Sequence, residues 1–295
     1  MSETSRIGVF GASNIKMIDK YFNFVYDPDW YYEEGKIRCN FDVLFIDDGF
    51  FETLHDIDIF NKMSFPIIGI ERISKHVQAS MLLKAGIKHP DTYFYSGNTY
   101  SANRIMSLLT NFNDEEELIV KMHTGARGIG TTILKKNEIQ RYDPDRKEEN
   151  TKLFLAKEVN IENGNNTYEA LHKNHVIFQK KEEVVKEYRA FFIYGESPLI
   201  YERDIIEGGF GNASTSKKVT EYKKDFTHEA LSQIYSFFES FNSPYMSFDL
   251  YETKEGDIGV FEFQQEFGHA YINNHSLLID AMRKGMENIL AKYQE

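Results

Sequence analysis

The residue types best suited to chemistry lie late in the chain, in SFDLYETKEGDIGVFEFQQ at 247–265. This stretch reads as two strands joined by a turn. Asp249 lies on the first strand, and Glu262 and Gln264, two apart on the second, share one face because side chains alternate along a strand. Converging carboxylates on rigid strands suit Mg²⁺, a hard cation usually held by one or two carboxylates together with substrate phosphates. An ordinary solvent-facing pair of strands is the alternative. Against it, Asp249 and Glu262 are set between apolar neighbours, and acidic residues are rarely buried without a partner or metal.

A second set occupies VKMHTGARGIGTTIL at 120–134, where a strand carrying Lys121 runs into a loop with Gly125, Gly128 and Gly130 before another strand. Glycines at that spacing let backbone N–H groups approach an anion, and the strand lysine supplies a point charge for a phosphate. The loop has neither the Gly-Lys-Ser/Thr of a P-loop nor the helix that must follow a dinucleotide fingerprint, and an ordinary glycine-rich hairpin stays open as a reading. A third set is Arg189, Arg203 and Asn212, the last in the glycine-rich EGGFGNAS. Arginines on strands fork onto phosphate or carboxylate oxygens, although surface ion pairs are the commoner use. The nine histidines form no H-E-x-x-H, and His269 and His275 lack the i, i+4 relation, so no zinc site is expected. His123, beside the glycine loop, reads as polar surface.

These residues need elements to hold them. RIGVF (6–10), FDVLFI (41–46) and PIIGI (66–70) are short apolar runs of the kind buried parallel strands show, and the stretch from Ser13 to Tyr32 is long enough for a crossover helix. Residues 1–72 therefore form a first α/β unit. The run SKHVQASMLLKAG predicts a helix with Ser74 as N-cap, Gly86 as its stop, and Val77, Met81, Leu82 and Ala85 on the buried face. A second helix is expected over 99–111 and a strand over 118–122, while the polar 136–166 reads as a mobile lid. Strands at 176–181, 187–196 and 197–205 follow, the last two joined by a Gly-Glu-Ser-Pro hairpin turn. A helix at 227–241, strands at 245–251 and 258–263, and a C-terminal helix at 276–293 complete an antiparallel second half.

Composition bounds the partners. The 295 residues exceed one comfortable core, and aromatic residues at 15% supply bulky core material. Lys plus Arg 34 against Asp plus Glu 46 gives −12, the wrong sign for a chain whose affinity comes from neutralising nucleic-acid phosphates or an anionic membrane. The single cysteine, Cys39, excludes an internal disulfide, is expected in the core, and points to a reducing compartment. The opening MSETSRIGVFG carries no signal-like segment and no apolar run reaches about 18 residues, so a cytoplasmic location is expected.

The order of these motifs resembles the ATP-grasp superfamily, and within it the carboxylate–amine ligases that add glutamate to ribosomal-protein tails. In that group a lysine-bearing segment precedes a helix ending in a Gly-Ile-x-x-Pro turn. ERISKHVQASMLLKAGIKHPDTYF supplies Lys75 and Gly86-Ile87-Lys88-His89-Pro90 in the same order. Lys121 and TGARGIG match the family's strand lysine and glycine loop, and VIFQKKEE its nucleotide hinge. EYRAFF, IYERD and GNAS match its arginine pair and asparagine, and Asp249, Glu262 and Gln264 its metal motif. The likeness spans roughly 70–268. The last metal position is normally Asn; Gln264 keeps the amide oxygen but adds a methylene, and Gln265 and Glu266 replace the usual proline-containing turn.

The resemblance implies an α/β (α+β) ATP-grasp fold in which a small parallel domain (1–72) precedes a central subdomain with glycine loop and lid (73–180) and a C-terminal subdomain with the metal site (181–295). It implies ATP held by Lys75, Lys121, the loop glycines and Gln179, Lys180, Lys181 and Glu182, with Mg²⁺, or Mn²⁺ in its place, on Asp249, Glu262 and Gln264. Arg189, Arg203 and Asn212 would then act on the transferring group as a carboxylate is phosphorylated and coupled to an amine. The partner is an amino-acid or peptide acceptor, met in part by the first domain, whose acidic FIDDGFFE (45–52) could face an amine. The main alternative is a regulatory ATP-binding protein without turnover, favoured by Gln264 and its altered turn; phosphoryl transfer to a stable product is a third. Homo-oligomerisation is open.

Overall fold

The computed structural model describes residues 6–11, 15–26, 28–34, 36–47, 66–70, 73–96, 102–122, 132–140, 175–203, 219–221, 229–265 and 276–293. Three larger sheets and one two-stranded hairpin are built from them. The first is parallel, with β1 (Arg6–Gly11), β2 (Asn23–Val25), β5 (Val43–Asp47) and β6 (Ile67–Ile70) in the order β2-β1-β5-β6. Ile7 is in register with Val43, and Leu44 with Ile67.

The long crossover helix expected between Ser13 and Tyr32 is absent. A short 3₁₀ helix (Ile15–Tyr21) serves the β1–β2 connection and buries Ile18, and a hairpin of β3 (Trp30–Glu33) and β4 (Lys36–Cys39) follows. The aromatic and β-branched residues of NFV, WYYE and KIRC favour pleated backbone over helix, and that preference prevails here. Cys39 is half-buried on that hairpin, its thiol donating to the Phe41 carbonyl at 2.9 Å, and is not a core residue.

The second sheet is antiparallel, order β7-β10-β8-β9, from β7 (Thr92–Ser96), β8 (Glu117–Met122), β9 (Thr132–Lys135) and β10 (His175–Lys180). Alternation divides its faces. Leu118, Val120, Val176 and Phe178 point into an apolar cluster with Ile105 and Leu109, at and just beyond the helix Ala102–Leu108, whereas Lys121 and Gln179 point the other way. The polar stretch expected as a lid begins instead with a short helix, Lys136–Gln140, which buries Ile139 and has the Glu138 carboxylate accepting from the Lys135 N–H at 2.8 Å; residues 141–166 lie outside the described residues.

The third sheet is also antiparallel, order β13-β12-β11-β14-β15: β11 (Val184–Ile193), β12 (Leu199–Arg203), β13 (Val219–Glu221), β14 (Tyr245–Thr253) and β15 (Ile258–Gln264). Gly195, at φ +74, supplies the left-handed residue of the β11–β12 turn. One face presents Tyr188, Ala190, Phe192, Met246, Phe248 and Leu250 to the helix Glu229–Glu239, which answers with Leu231, Ile234, Phe237 and Phe238 as its periodicity requires. The helix Lys75–Lys84 adds Leu82 to this same cluster. Its buried face is Gln78, Ala79 and Leu82; Val77 and Ala85 are exposed, contrary to the sequence reading. Gln78 decides the rotation: its amide donates to the Ile73 carbonyl at 2.8 Å and accepts from the Phe263 N–H at 3.1 Å, so a polar side chain fastens the helix to β15. Ser74 holds the N-cap position without a capping bond, and Gly86 (φ +73) ends the helix.

The opposite face of the third sheet changes character along its strands. Phe191, Ile193 and Tyr245 pack with the C-terminal helix (Ser276–Ala291) and the apolar side of the parallel sheet, through Leu278, Met282, Met286 and Phe45. Two residues before Phe191 the same face carries Arg189, and two before that Glu187. The site begins where the apolar cover ends. Gln265 ties this region to the first sheet, its Nε2 donating to the Ile46 carbonyl at 2.5 Å.

Candidate functional site

Arg189 on β11 is in register with Asp249 on β14, and Asp249 with Glu262 on β15; a bulge between Asp249 and Leu250 sets that last pairing. Arg203 on β12 lies opposite Glu187. Cross-strand neighbours on one face lie within side-chain reach, so the ladder itself assembles a charged cluster. Arg189 Nη1 donates to Asp249 Oδ1 at 2.8 Å, and Arg203 Nη2 reaches the same oxygen at 3.0 Å. Both arginines are buried, with side chains 4% and 5% exposed, and Asp249 is the carboxylate they share. Burial opposes the charge on Asp249, yet Arg189 and Arg203 together hold its carboxyl below its ordinary value.

The Gln264 amide, with its oxygen turned toward Arg189, accepts from Nη2 at 2.5 Å and Nη1 at 3.3 Å. Glu262 accepts from Lys75 Nζ. Lys75 is the first residue of its helix, where the helix dipole disfavours a cation, so Glu262 compensates a charge that local propensity would not place there.

Lys121 approaches from the second sheet. Its Nζ donates to Gln179 Oε1 at 2.7 Å. Burial first, then the charge of Lys75, lowers its pKa to about 7, with Glu262 and Asp249 opposing the fall. The two antiparallel sheets therefore face one another across four basic side chains, Lys75, Lys121, Arg189 and Arg203, and the carboxylates of Asp249 and Glu262.

Glu187 was not singled out by sequence. It is partly buried beside Arg203, and burial pushes its carboxyl up to about 7 although Arg203 draws it down and Asp249 pushes it further up. Its signal was available: two residues before Arg189 on a strand means the same face. Tyr251, stacked on Phe261 with ring centroids 4.3 Å apart, lies across Gly259, where a Cβ would come within 2.2 Å of its ring.

The other sequence-derived residues separate. Gln179 is buried, with its side chain beneath Lys121. The Lys180 backbone N–H donates to the Asp91 carbonyl at 2.8 Å, Lys181 pairs with Glu117 on the exposed side, and Glu182 is half-buried just past β10. Gly125, Gly128, Gly130, Asn212, His123, His269 and His275 lie outside the described residues, as does most of 45–52.

The donor set fits a hard cation that keeps water and phosphate ligands. Among the described residues no three His, Cys, Asp or Glu side chains cluster as a metal cage; two carboxylates on adjacent strands and one amide are what is present, and each faces positive charge already. Among the described residues no helix is long and apolar enough to cross a membrane.

No protein-family model matches the chain, and no curated protein matches it. Solved structures do. A RiPP-associated ATP-grasp ligase of Chryseobacterium gregarium, in complex with ADP and a leader and core peptide, aligns over 97% of this chain and 96% of its own at 14% identity and a TM-score of 0.55. The ATP-grasp ligase PsnB, complexed with a phosphomimetic variant of its minimal precursor, Mg and ADP, aligns over 96% and 99% at 12% identity and a TM-score of 0.59. D-alanyl-alanine synthetase A from Vibrio cholerae O1 aligns over 99% and 100% at 12% identity and a TM-score of 0.58. At these identities the likeness is one of fold: one parallel and two antiparallel sheets arranged as in ATP-grasp ligases.

Proposed function

We infer that this ATP-grasp chain is an ATP- and Mg²⁺-dependent ligase that joins a carboxylate to an amine through an acyl phosphate. The observation that carries the reading is the meeting of Lys75, Lys121, Arg189 and Arg203 with Asp249 and Glu262 between the two antiparallel sheets. Lys75, Arg189 and Arg203 already outnumber Asp249 and Glu262, Lys121 regains its proton beside an anion, and a polyanion such as a triphosphate supplies the balance.

Lys75 and Lys121 bind the phosphates in this reading, Lys180 to Glu182 border the base, and Gln179 lies buried beneath Lys121. Asp249, Glu262 and Gln264 hold Mg²⁺, which when bound neutralises charge on the phosphate oxygens. A substrate carboxylate oxygen attacks the γ-phosphorus, ADP leaves, and an acyl phosphate forms. The amine then attacks the acyl carbon, inorganic phosphate leaves, and the amine's proton passes to a base. Arg189 and Arg203 exchange their shared Asp249 for the transferring phosphoryl or the tetrahedral oxyanion; fixed cations aimed at developing charge need no reorganisation as the barrier is crossed. The loop at 124–130 and Asn212 are assigned to closing over and orienting the same group. The division into 1–72, 73–180 and 181–295 assigns acceptor binding to the first unit, and the acceptor is an amino acid or peptide, the class bound in the peptide complexes of the fold neighbours.

ADP and phosphate release, followed with and without Mg²⁺ over a panel of amino acids and peptides, tests this. ADP formation that requires one acid–amine pair supports the ligase; tight ATP binding with no turnover on any pair supports the regulatory alternative. That alternative has one observation in its favour: the Gln264 oxygen is engaged by Arg189.

A further inference from the structure

We propose that His89 and Gln179 form a positioning relay that fixes the Nζ of Lys121 for a phosphate-bearing substrate, anchored on the same strand that carries Glu262. This rests on the ATP reading above for its purpose, though not for its geometry.

The polarity of the chain of bonds is set from its carbonyl end. The Val260 carbonyl can only accept, and His89 Nδ1 lies 2.7 Å from it, so Nδ1 carries the proton. Burial lowers the His89 pKa to about 4, so the ring is neutral at pH 7 and Nε2 is an acceptor. Gln179 Nε2 lies 3.2 Å from that nitrogen and donates to it, and its second N–H donates to Thr92 Oγ1 at 3.0 Å. Thr92 Oγ1 lies 2.8 Å from the Pro90 carbonyl and 3.1 Å from His89 Nε2; whichever of the two takes its one proton, its oxygen accepts from Gln179. Both amide hydrogens of Gln179 are thus committed, and its Oε1 can only face Lys121, at 2.7 Å. A carbonyl on β15 sets a histidine tautomer, the tautomer sets an amide, and the amide sets the lysine.

The anchor is held from both directions. Val260 N–H donates to the Lys88 carbonyl at 2.9 Å while Val260 O accepts from His89, so the turn after the helix Lys75–Lys84 grips β15 two residues before Glu262. His89 is 8% exposed and Gln179 1%, and neither reaches solvent chemistry of its own. An apolar residue at either position would fill the space; a donor–acceptor chain ending on a charged amine does more than fill it. His89 and Gln179 are positioning residues: they act through Lys121.

The test uses the full chain and separates the relay from the ATP reading. Lys121 is followed in the ligand-free protein by the pH titration of its ε-carbon in ¹³C-lysine NMR, assigned by its loss in Lys121→Ala. Binding of a non-hydrolysable ATP analogue with Mg²⁺ is followed by calorimetry. His89→Asn keeps a donor for Val260 but removes the Nε2 acceptor of Gln179, and is expected to shift the Lys121 titration and weaken analogue binding about tenfold. His89→Gln places an amide oxygen near the lost Nε2 and is expected to restore both. In the Lys121→Ala background His89→Asn is expected to change binding no further, because the two act in series. An unmoved Lys121 titration in folded His89→Asn, or an equal loss of binding in both backgrounds, overturns the relay. Gln179→Met carries the same expectation should His89→Asn not fold. A shifted Lys121 together with no analogue binding by the wild type overturns the ATP reading and leaves the relay standing.

Discussion

The two walls of the site solve the same electrostatic problem in opposite ways. On the third sheet, carboxylates are paired with cations: Arg189 and Arg203 share Asp249, and Glu262 takes Lys75 from the helix Lys75–Lys84. On the second sheet Lys121 has a neutral amide as its partner, and its pKa falls to about 7. One wall keeps its charges by pairing them, and the other gives its charge up. The difference teaches where a ligand gains most: paired groups must exchange partners, whereas Lys121 only needs an anion to regain its proton.

Breaking the paired wall carries the largest effect. Asp249→Ala leaves two buried guanidinium groups without their shared carboxylate and should cost about 3–5 kcal/mol in urea unfolding, along with turnover; a loss under about 1 kcal/mol would mean the arginines are satisfied elsewhere. Asp249 has a lowered folded pKa, so its contribution is full above the ordinary carboxylate value of about 3.9 and is lost as pH falls through the lower folded value. Asp249→Ala should flatten that acid limb.

Next, Glu262→Ala and Lys121→Ala should part company. Removing Glu262 is expected to abolish Mg²⁺-dependent ADP formation by about three orders of magnitude while nucleotide still binds; removing Lys121 is expected mainly to raise the nucleotide Kd about tenfold or more. Equal effects of the two on binding would erase the contrast between the walls.

A smaller effect sharpens the contrast. A lysine with a depressed folded pKa binds its proton only in the unfolded chain between about pH 7 and the free value of about 10.4, so its cost to stability is full below pH 7 and is relieved as pH rises. Lys121→Met should remove that rise in a comparison of unfolding at about pH 7 and about pH 9. Glu187 has the opposite sign. Its folded pKa is raised to about 7, so stability falls as pH climbs from about 4.3 to 7 and the cost remains above. Glu187→Gln should be more stable than wild type at about pH 8 and indistinguishable near pH 4.

What the sequence made legible follows from the range over which each signal acts. The helix Glu229–Glu239 and the strands of the third sheet repeat with their own local period, so Leu231, Ile234, Phe237 and Phe238 could be placed without a fold. The shared face of Glu262 and Gln264 was legible by alternation, and the β14–β15 ladder sets Asp249 opposite Glu262. The segment 13–32 failed because length permits a helix that its aromatic and β-branched residues do not favour. Val77 failed because the helix Lys75–Lys84 is turned by Gln78, whose partner Phe263 lies 185 residues away. The His89–Gln179 contact, 90 residues apart, left no periodic trace: two polar residues in apolar runs look like exceptions until the sheet brings them together.

The most direct test of the central claim is calorimetric titration of Mg²⁺–ATP at about pH 8 in buffers of different ionisation enthalpy, with wild type and Lys121→Met. The account predicts binding by the wild type with proton uptake, as the largely neutral Lys121 is recharged against the phosphates, and weaker binding without that uptake in Lys121→Met. Absence of binding, or binding whose affinity and proton uptake are the same in both proteins, would contradict it.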